Sequence, residues 1–236
     1  MKVGRISASC FIGIFFILFM NCSAGELPMS FRVSIEKAVE EYTTACKNAD
    51  ERISKAFDGT IEQIRKNPQF KPEQKQSHIE AITTEKANFD KHGTIPFSMP
   101  MRQPANQYLT SIDKVRTQAA KAYDRAIDHL QVKAKDDAAA STMTEEKKKV
   151  LAPKTIGTWE CTGTNFRHNF TRHLKSDGTI TGTNEGTWRF DGEKMVFRVE
   201  GYIETCRVGT DGITFTASNM NGLTFTGKLV FPQAGP

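Results

Sequence analysis

The sequence lacks the short motifs that mark several large enzyme classes. Its five cysteines form no C-x-x-C pair, which leaves a thioredoxin-type redox site and a zinc ribbon without support. No G-x-S-x-G nucleophile elbow, Walker A loop or G-x-G-x-x-G fingerprint occurs. His168 and His173 lie five positions apart on a predicted strand, so they face opposite sides and cannot chelate one ion. We therefore predict a protein that is not an enzyme and that carries no metal or other cofactor.

A concentrated charge of one sign is also absent. The 236 residues have a formal net charge of +5, and from Lys154 onward nine basic residues stand against eight acidic ones. Nucleic-acid binding requires a concentrated positive face, which this alternation does not provide. Nucleic acid is therefore not among the predicted partners.

Long apolar runs are missing as well, except for one near the N-terminus. Residues 11–20 are almost purely apolar, follow two basic residues and precede a small-x-small site formed by Cys22 and Ala24. This pattern is typical of a secretory signal peptide, here residues 1–24, cleaved before Gly25. Because the run is too short to cross about 30 Å of hydrocarbon comfortably, we expect no stable transmembrane anchor. The predicted location is therefore outside the cytoplasm, in the periplasm or secreted.

Two alternatives stay open at this end of the chain. The apolar run could be retained as an anchor, or Cys22 could be acylated to give a lipid-anchored protein. A bacterial lipoprotein signal needs Leu and two small residues before that cysteine, and Phe19, Met20 and Asn21 stand there instead. Cleavage before Gly25 is therefore the favoured interpretation.

The remaining chain changes in composition and periodicity near Pro153. Residues 26–137 are rich in Ala, Glu, Lys and Gln with apolar residues at helical spacing, which predicts a helical bundle or coiled coil. Residues 138–153 are polar and aperiodic, and we interpret them as a linker or a frayed helix end. Residues 154–236 alternate in hydrophobicity, which predicts an antiparallel β-domain that folds without the helices.

The first helix carries a heptad seam that runs over more than four turns. Its members step by four and three residues, as in a coiled coil: Phe31, Ile35, Ala38, Tyr42, Ala45 and Ala49. Pro72 is placed to begin a second helix, which should end at His92-Gly93. Three prolines between Thr94 and Pro104 predict an extended connector, and a third helix should follow from about Ala105.

This seam is thin because much of it is alanine. A thin seam lets helices approach closely but buries little apolar area at about 25 cal/mol per Å². A homo-oligomer formed through the helical half and a monomeric bundle or hairpin both fit this pattern.

The β-half contains four Asx-Gly dipeptides between alternating segments, each a strong hairpin signal. Seven or eight short strands within about 80 residues predict a small antiparallel meander barrel, with a sandwich as the second choice. The predicted fold class is therefore α+β, with an elongated helical bundle or hairpin followed by this barrel.

A recurring pattern in this half carries a family resemblance. Ile156-Gly-Thr-Trp159, Asp177-Gly-Thr179, Gly186-Thr-Trp188 and Asp191-Gly192 follow each other in this order. The pattern resembles the lipocalin-like β-domains of exported bacterial proteins of unknown activity, in which an Ala/Lys/Glu-rich helical hairpin precedes the barrel. The resemblance covers roughly the last third of the chain, and it implies an architecture without implying a catalytic residue.

Cysteines and aromatic residues supply the candidate site residues. Cys161 and Cys206 lie on different predicted strands, and export would allow a disulfide between them; two buried free thiols are the alternative. Cys46 lies beside the helical seam, as a small core residue or as one half of an intermolecular bridge. Four aromatic residues could face a ligand or simply fill the core: Trp159, Trp188, Phe170 and Phe190.

Three functions are compatible with these features. The first is a non-catalytic exported protein whose helices act as a spacer or oligomerisation element and whose β-domain binds a small apolar ligand, an envelope component or a protein partner. The second is a hydrolase of a cell-surface polymer, for which Glu160 and Glu204 are the available carboxylate pair. The third is a scaffold whose barrel is filled by its own side chains.

Overall fold

The computed structural model describes residues 27–165, 168–191 and 194–231. The predicted signal peptide, Cys22 and the cleavage position at Gly25 lie outside these residues, as does part of the Asp191-Gly192 turn. Within the described residues, four α-helices precede eight strands, which confirms the α+β prediction. The helices are α1 (Met29–Lys66), α2 (Pro72–His92), α3 (Arg102–Asp128) and α4 (Asp137–Val150).

Helix α1 is continuous over 38 residues, and the seam positions Ile35, Tyr42 and Ala49 are buried, together with Val39, which the seam did not include. The other seam residues Phe31, Ala38 and Ala45 are half-buried. Helix α2 begins at Pro72, as predicted, because proline fits the first turn where its missing N–H is not needed. It ends at Gly93, whose φ of 68° is the left-handed conformation that closes a helix and that glycine adopts without strain.

Helix α3 begins at Arg102, slightly before the predicted start, and passes into a π-helical segment, His129–Ala134. Lys135 then turns the chain with a φ of 55°. The predicted linker is wrong for most of its length, because residues 137–150 form helix α4. The Asp136 side chain caps this helix by accepting a hydrogen bond of 2.9 Å from the backbone N–H of Ala139.

Polar side chains join α4 to α3, which explains why an aperiodic polar segment is helical. The Tyr123 hydroxyl donates to Glu146 at 2.9 Å, and Lys147 forms an ion pair of 2.6 Å with Asp124. These partners lie 23 residues apart in the sequence, so local periodicity carries no trace of them.

The eight strands form a closed antiparallel barrel in which each strand pairs with its neighbour in sequence and β8 pairs with β1. This is the predicted meander barrel. The strands are β1 (Thr155–Gly163), β2 (Asn169–Lys175), β3 (Thr179–Gly182), β4 (Gly186–Asp191), β5 (Lys194–Val199), β6 (Tyr202–Val208), β7 (Thr214–Asn219) and β8 (Thr224–Val230).

Contacts group the described residues into two compact units. One unit comprises residues 51–109 and 154–231, and the other comprises residues 27–50 and 110–153. The second half of α1, helix α2 and the connector therefore belong to the same compact unit as the barrel, whereas the change in composition predicts a domain border at Pro153. They belong together because the connector inserts Phe97 among the aromatic rings of the barrel.

In the second unit, Tyr42 is buried among the seam residues with Cys46 beside it. Burial raises the pKa of Tyr42 to about 12, and Cys46 adds to the rise. Cys46 is half-buried, as expected for a small residue at the edge of a helical core.

Candidate functional site

The barrel interior is filled by side chains of its own strands. Alternate residues point inward, and the largest of them are almost inaccessible to solvent, at 0–2% exposure: Trp159, Phe197 and Phe215. The rings of Trp159 and Phe215 meet edge to face with centroids 4.8 Å apart, and Phe197 contacts Phe215 at 5.9 Å. This packing resembles a core more closely than a ligand cavity.

The connector closes one end of this barrel with Phe97. Its ring is fully buried and lies 5.2 Å from Trp159, 6.4 Å from Trp188 and 6.0 Å from Phe190, measured between centroids. The backbone N–H of Ile95 donates to the carbonyl of Ile156 at 3.1 Å, which fixes the connector to the start of β1. A residue outside the strands thus completes the core of the barrel.

Glycine at position 157 makes room for this ring. A Cβ atom there would lie 3.0 Å from Cζ of Phe97, closer than ordinary van der Waals contact. In the Ile156-Gly-Thr-Trp159 motif, the glycine therefore leaves space on the strand for the Phe97 side chain of the connector.

A buried carboxylate holds the connector in place. Glu85 of α2 is 4% exposed and accepts hydrogen bonds of 2.8 Å from the backbone N–H groups of Phe97 and Ser98, and one of 2.5 Å from the Ser98 hydroxyl. Burial raises the pKa of Glu85 despite these bonds, and the nearby charge of Asp211 adds to the rise. A Cβ at Gly212 would lie 2.2 Å from the Glu85 carboxylate, so the β6–β7 loop also needs glycine beside it.

An ion pair spans the barrel interior between β2 and β6. Both guanidinium nitrogens Nη1 and Nη2 of Arg172 donate to the carboxylate of Glu204, the second at 3.1 Å. The guanidinium carbon lies 4.8–5.2 Å from the ring centres of Phe170, Phe197 and Phe225. The two hydrogen bonds from the guanidinium to the carboxylate, and the aromatic rings around the guanidinium, compensate for the water that both charges lose on burial.

No sequence motif marks Arg172, although its parity on β2 places it inward. Its register partner is Trp159, an inward residue, so the strand alternation carried the signal. The pairing with Glu204 could not be read from the sequence, because β2 and β6 are not adjacent in the barrel.

The predicted Cys161–Cys206 disulfide is wrong, since both residues are buried free thiols. They lie on β1 and β6, which are not neighbours in the barrel. Burial raises the pKa of Cys161 to about 12 and raises that of Cys206 as well. The alternative of two buried thiols describes the structure.

All four predicted aromatic residues lie on inward-facing positions of the barrel. Phe170 and Phe190 share the inward face with the tryptophans, and both are half-buried. Trp159 is fully buried and Trp188 is 5% exposed, with its indole N–H donating to the carbonyl of Lys175 at 2.9 Å. The role of these residues toward a ligand stays a prediction. Trp159, Trp188 and Phe190 pack around Phe97. Phe170 instead packs against Phe225 and Arg172.

The carboxylate pair considered for a hydrolase is divided by the barrel wall. Glu204 points inward and is bound to Arg172, whereas Glu160 is exposed on the outer face of β1. A glycosidase needs two carboxyl groups that flank one bond, which this arrangement does not supply.

A groove of about 470 Å³ lies on the outer face of the barrel, across β1, β8, β7 and β6. Strand register puts exposed side chains there in two rows. One row runs Thr162, Thr226, Thr216 and Arg207, and the other runs Glu160, Lys228 and Thr214. We call this set the outer groove; no sequence motif marked it, because outward residues of a β-domain are commonly polar.

The end of the barrel opposite the connector exposes several apolar side chains. These are Tyr202 at 46% exposure and Met220 at 87%, with Ile203 and Leu223 beside them in the chain. They belong to the β5–β6 and β7–β8 ends of the strands, which the meander places at the same end. We call these four residues the rim patch.

Comparisons with known proteins add little to this description. No protein-family model and no curated protein matches the chain. Among solved structures, the chain is similar to the endo-1,5-alpha-L-arabinanase from Thermotoga petrophila RKU-1, with 19% identity over 34% of this chain and 23% of that chain. The TM-score is 0.27, too low for the likeness to support an argument about fold or activity.

The described residues hold no group of three or more His, Cys, Asp or Glu side chains arranged to bind a metal ion. None of the helices in the described ranges is both long and apolar enough to cross a membrane.

Proposed function

We propose that this chain is a non-catalytic exported protein that binds a component of the cell envelope through the outer surface of its barrel. The filled interior carries the proposal. Phe97 closes one end of the barrel, and Trp159, Phe197 and Phe215 fill its interior. A ligand would therefore bind to the outer surface of the barrel. Export rests on the N-terminal sequence pattern alone.

We further propose that the helices act as a spacer or an oligomerisation element. Met29 and Val33 lie one turn apart on α1 and are 73% and 50% exposed, and Val132 is 58% exposed. Apolar side chains left on helical faces favour self-association. Sedimentation equilibrium of the processed chain at several concentrations tests this point, and a concentration-independent monomer mass would contradict it.

The test of envelope binding uses the full processed protein and the isolated cell envelope of its source organism. We expect the protein to co-sediment with the envelope to a level that saturates with protein concentration. If the ligand is a polymer other than protein, protease treatment of the envelope should leave this binding intact. Loss of binding after that treatment would identify a protein partner instead.

A second candidate function is a purely structural scaffold, which the filled interior also favours. It differs in one measurable way, because a scaffold within a larger assembly would show no saturable affinity for the isolated envelope. Absence of co-sedimentation under conditions in which the barrel is folded would therefore reject envelope binding and leave the scaffold.

A further inference from the structure

Three exposed, charged side chains line the outer groove. Glu160 on β1 lies directly opposite Lys228 on β8, and Arg207 stands at the end of the threonine row on β6. Within the described residues, the side chains of these three form no hydrogen bond or ion pair with the rest of the chain. With two cations and one carboxylate, the outer groove has a local excess of positive charge.

Hydroxyl groups fill the space between these charges. Thr162, Thr226 and Thr216 occupy consecutive strands in one row, and Thr214 borders Lys228 in the next. Adjacent strands are about 4.8 Å apart, so the row presents a hydroxyl at each such step. Each hydroxyl can donate and accept, which suits a ligand that is itself rich in hydroxyl groups.

Beneath the outer groove, Gly227 and Phe215 face inward. A Cβ at Gly227 would lie 2.1 Å from Cε1 of Phe215, so the glycine leaves space for that ring inside the barrel. Phe215 itself is only 2% exposed. The groove therefore offers hydrogen bonds and charge and lacks the exposed aromatic anchors that dominate protein–protein interfaces.

From these features we infer that the outer groove binds an acidic polysaccharide, a hydroxyl-rich chain that carries carboxylates. Arg207 and Lys228 would bind the carboxylates, and the threonine row would bind the sugar hydroxyls. Glu160 opposes the binding of an anion and limits its affinity. The inference deepens the proposed function by naming the chemical class of the envelope component and the surface that takes it.

The direct test measures binding of the full processed protein to polygalacturonate, with neutral dextran as the reference polymer. We expect saturable binding to polygalacturonate that weakens as salt is raised, because exposed charges are screened. The double variant Arg207→Glu and Lys228→Glu should bind at least about tenfold more weakly, a change equivalent to about 1.4 kcal/mol. Glu160→Gln should bind a few-fold more tightly.

Matched variants separate the groove from the rest of the barrel. Arg198→Glu reverses an exposed charge on the outer face of β5 and should leave binding unchanged. Thr216→Val removes a hydroxyl at nearly constant size and should weaken binding without altering its salt dependence. Met220→Ser tests the rim patch and should have no effect on polygalacturonate binding.

Three outcomes would overturn the inference. They are equal binding of dextran and polygalacturonate, an equal loss in Arg198→Glu and in the double variant, or wild-type binding by the double variant. Envelope binding that persists without polygalacturonate binding would overturn the inference alone and leave the proposed function standing. Binding of nucleic acid with the same variant profile and higher affinity would reject the polysaccharide as the ligand.

Discussion

Removal of the Phe97 ring provides the strongest test of how this fold is built. The ring is fully buried between Trp159, Trp188 and Phe190, although it belongs to the connector and not to the barrel. Replacement of a buried phenylalanine by alanine costs about 3–5 kcal/mol through lost apolar transfer and the cavity that remains. We expect Phe97→Ala to lower the free energy of unfolding of the barrel by that amount.

Urea denaturation followed by tryptophan fluorescence is a suitable assay. The protein has two tryptophans, Trp159 and Trp188, and both contact Phe97, so the signal reports on the affected region. Met99→Ala is the matched control, because Met99 belongs to the same part of the chain but is 56% exposed. The control should change stability by less than about 0.5 kcal/mol.

A change below about 1 kcal/mol in Phe97→Ala would refute the reasoning, since a cavity of that size cannot be neutral in a packed core. The same measurement bears on the expectation that residues 154–236 fold alone. That fragment lacks Phe97 and Glu85, so we expect it to be less stable than the barrel in the full chain by at least the Phe97→Ala difference. A fragment as stable as the barrel of the full chain would show that the connector is dispensable.

Three further predictions concern buried polar groups. Because burial raises the pKa of Glu85, protonation of this group stabilises the fold fully below the ordinary carboxyl pKa, and that stability is lost as pH rises through the raised pKa. The urea midpoint should therefore fall as pH rises, and Glu85→Gln should abolish this pH dependence. Arg172→Met should lower the free energy of unfolding by about 3–5 kcal/mol, because it leaves Glu204 charged, buried and unpaired. The double variant with Glu204→Leu should regain most of that free energy, and equal instability of the single and double variants in denaturation would contradict this account. The thiols of Cys161 and Cys206 should not react with a thiol reagent at neutral pH until the barrel unfolds, and a reductant should leave the melting temperature unchanged; rapid labelling of the folded protein would show that they are accessible.

The sequence alone determined the features that depend on neighbouring residues. The heptad seam of α1, the start of α2 at Pro72 and its end at Gly93 are encoded within a few turns of helix, and the structure has them. Asx-Gly turns and alternation predicted a meander barrel for the same reason, since each hairpin joins strands that are adjacent in the chain.

Tertiary structure decided the specific side-chain contacts that join residues distant in the sequence. The Arg172–Glu204 pair crosses the interior of the closed barrel, and the two rows of the outer groove form because β1, β8, β7 and β6 become neighbours when the barrel closes. That Cys161 and Cys206 are free thiols is likewise a finding of the structure. Helix α4 was missed because its stabilising partners on α3 are 23 residues away, and a polar aperiodic segment has no local signal for them. The insertion of Phe97 into the barrel could not be predicted from the sequence either. Phe97 belongs to a proline-rich connector and is buried only by strands that begin more than fifty residues later in the chain.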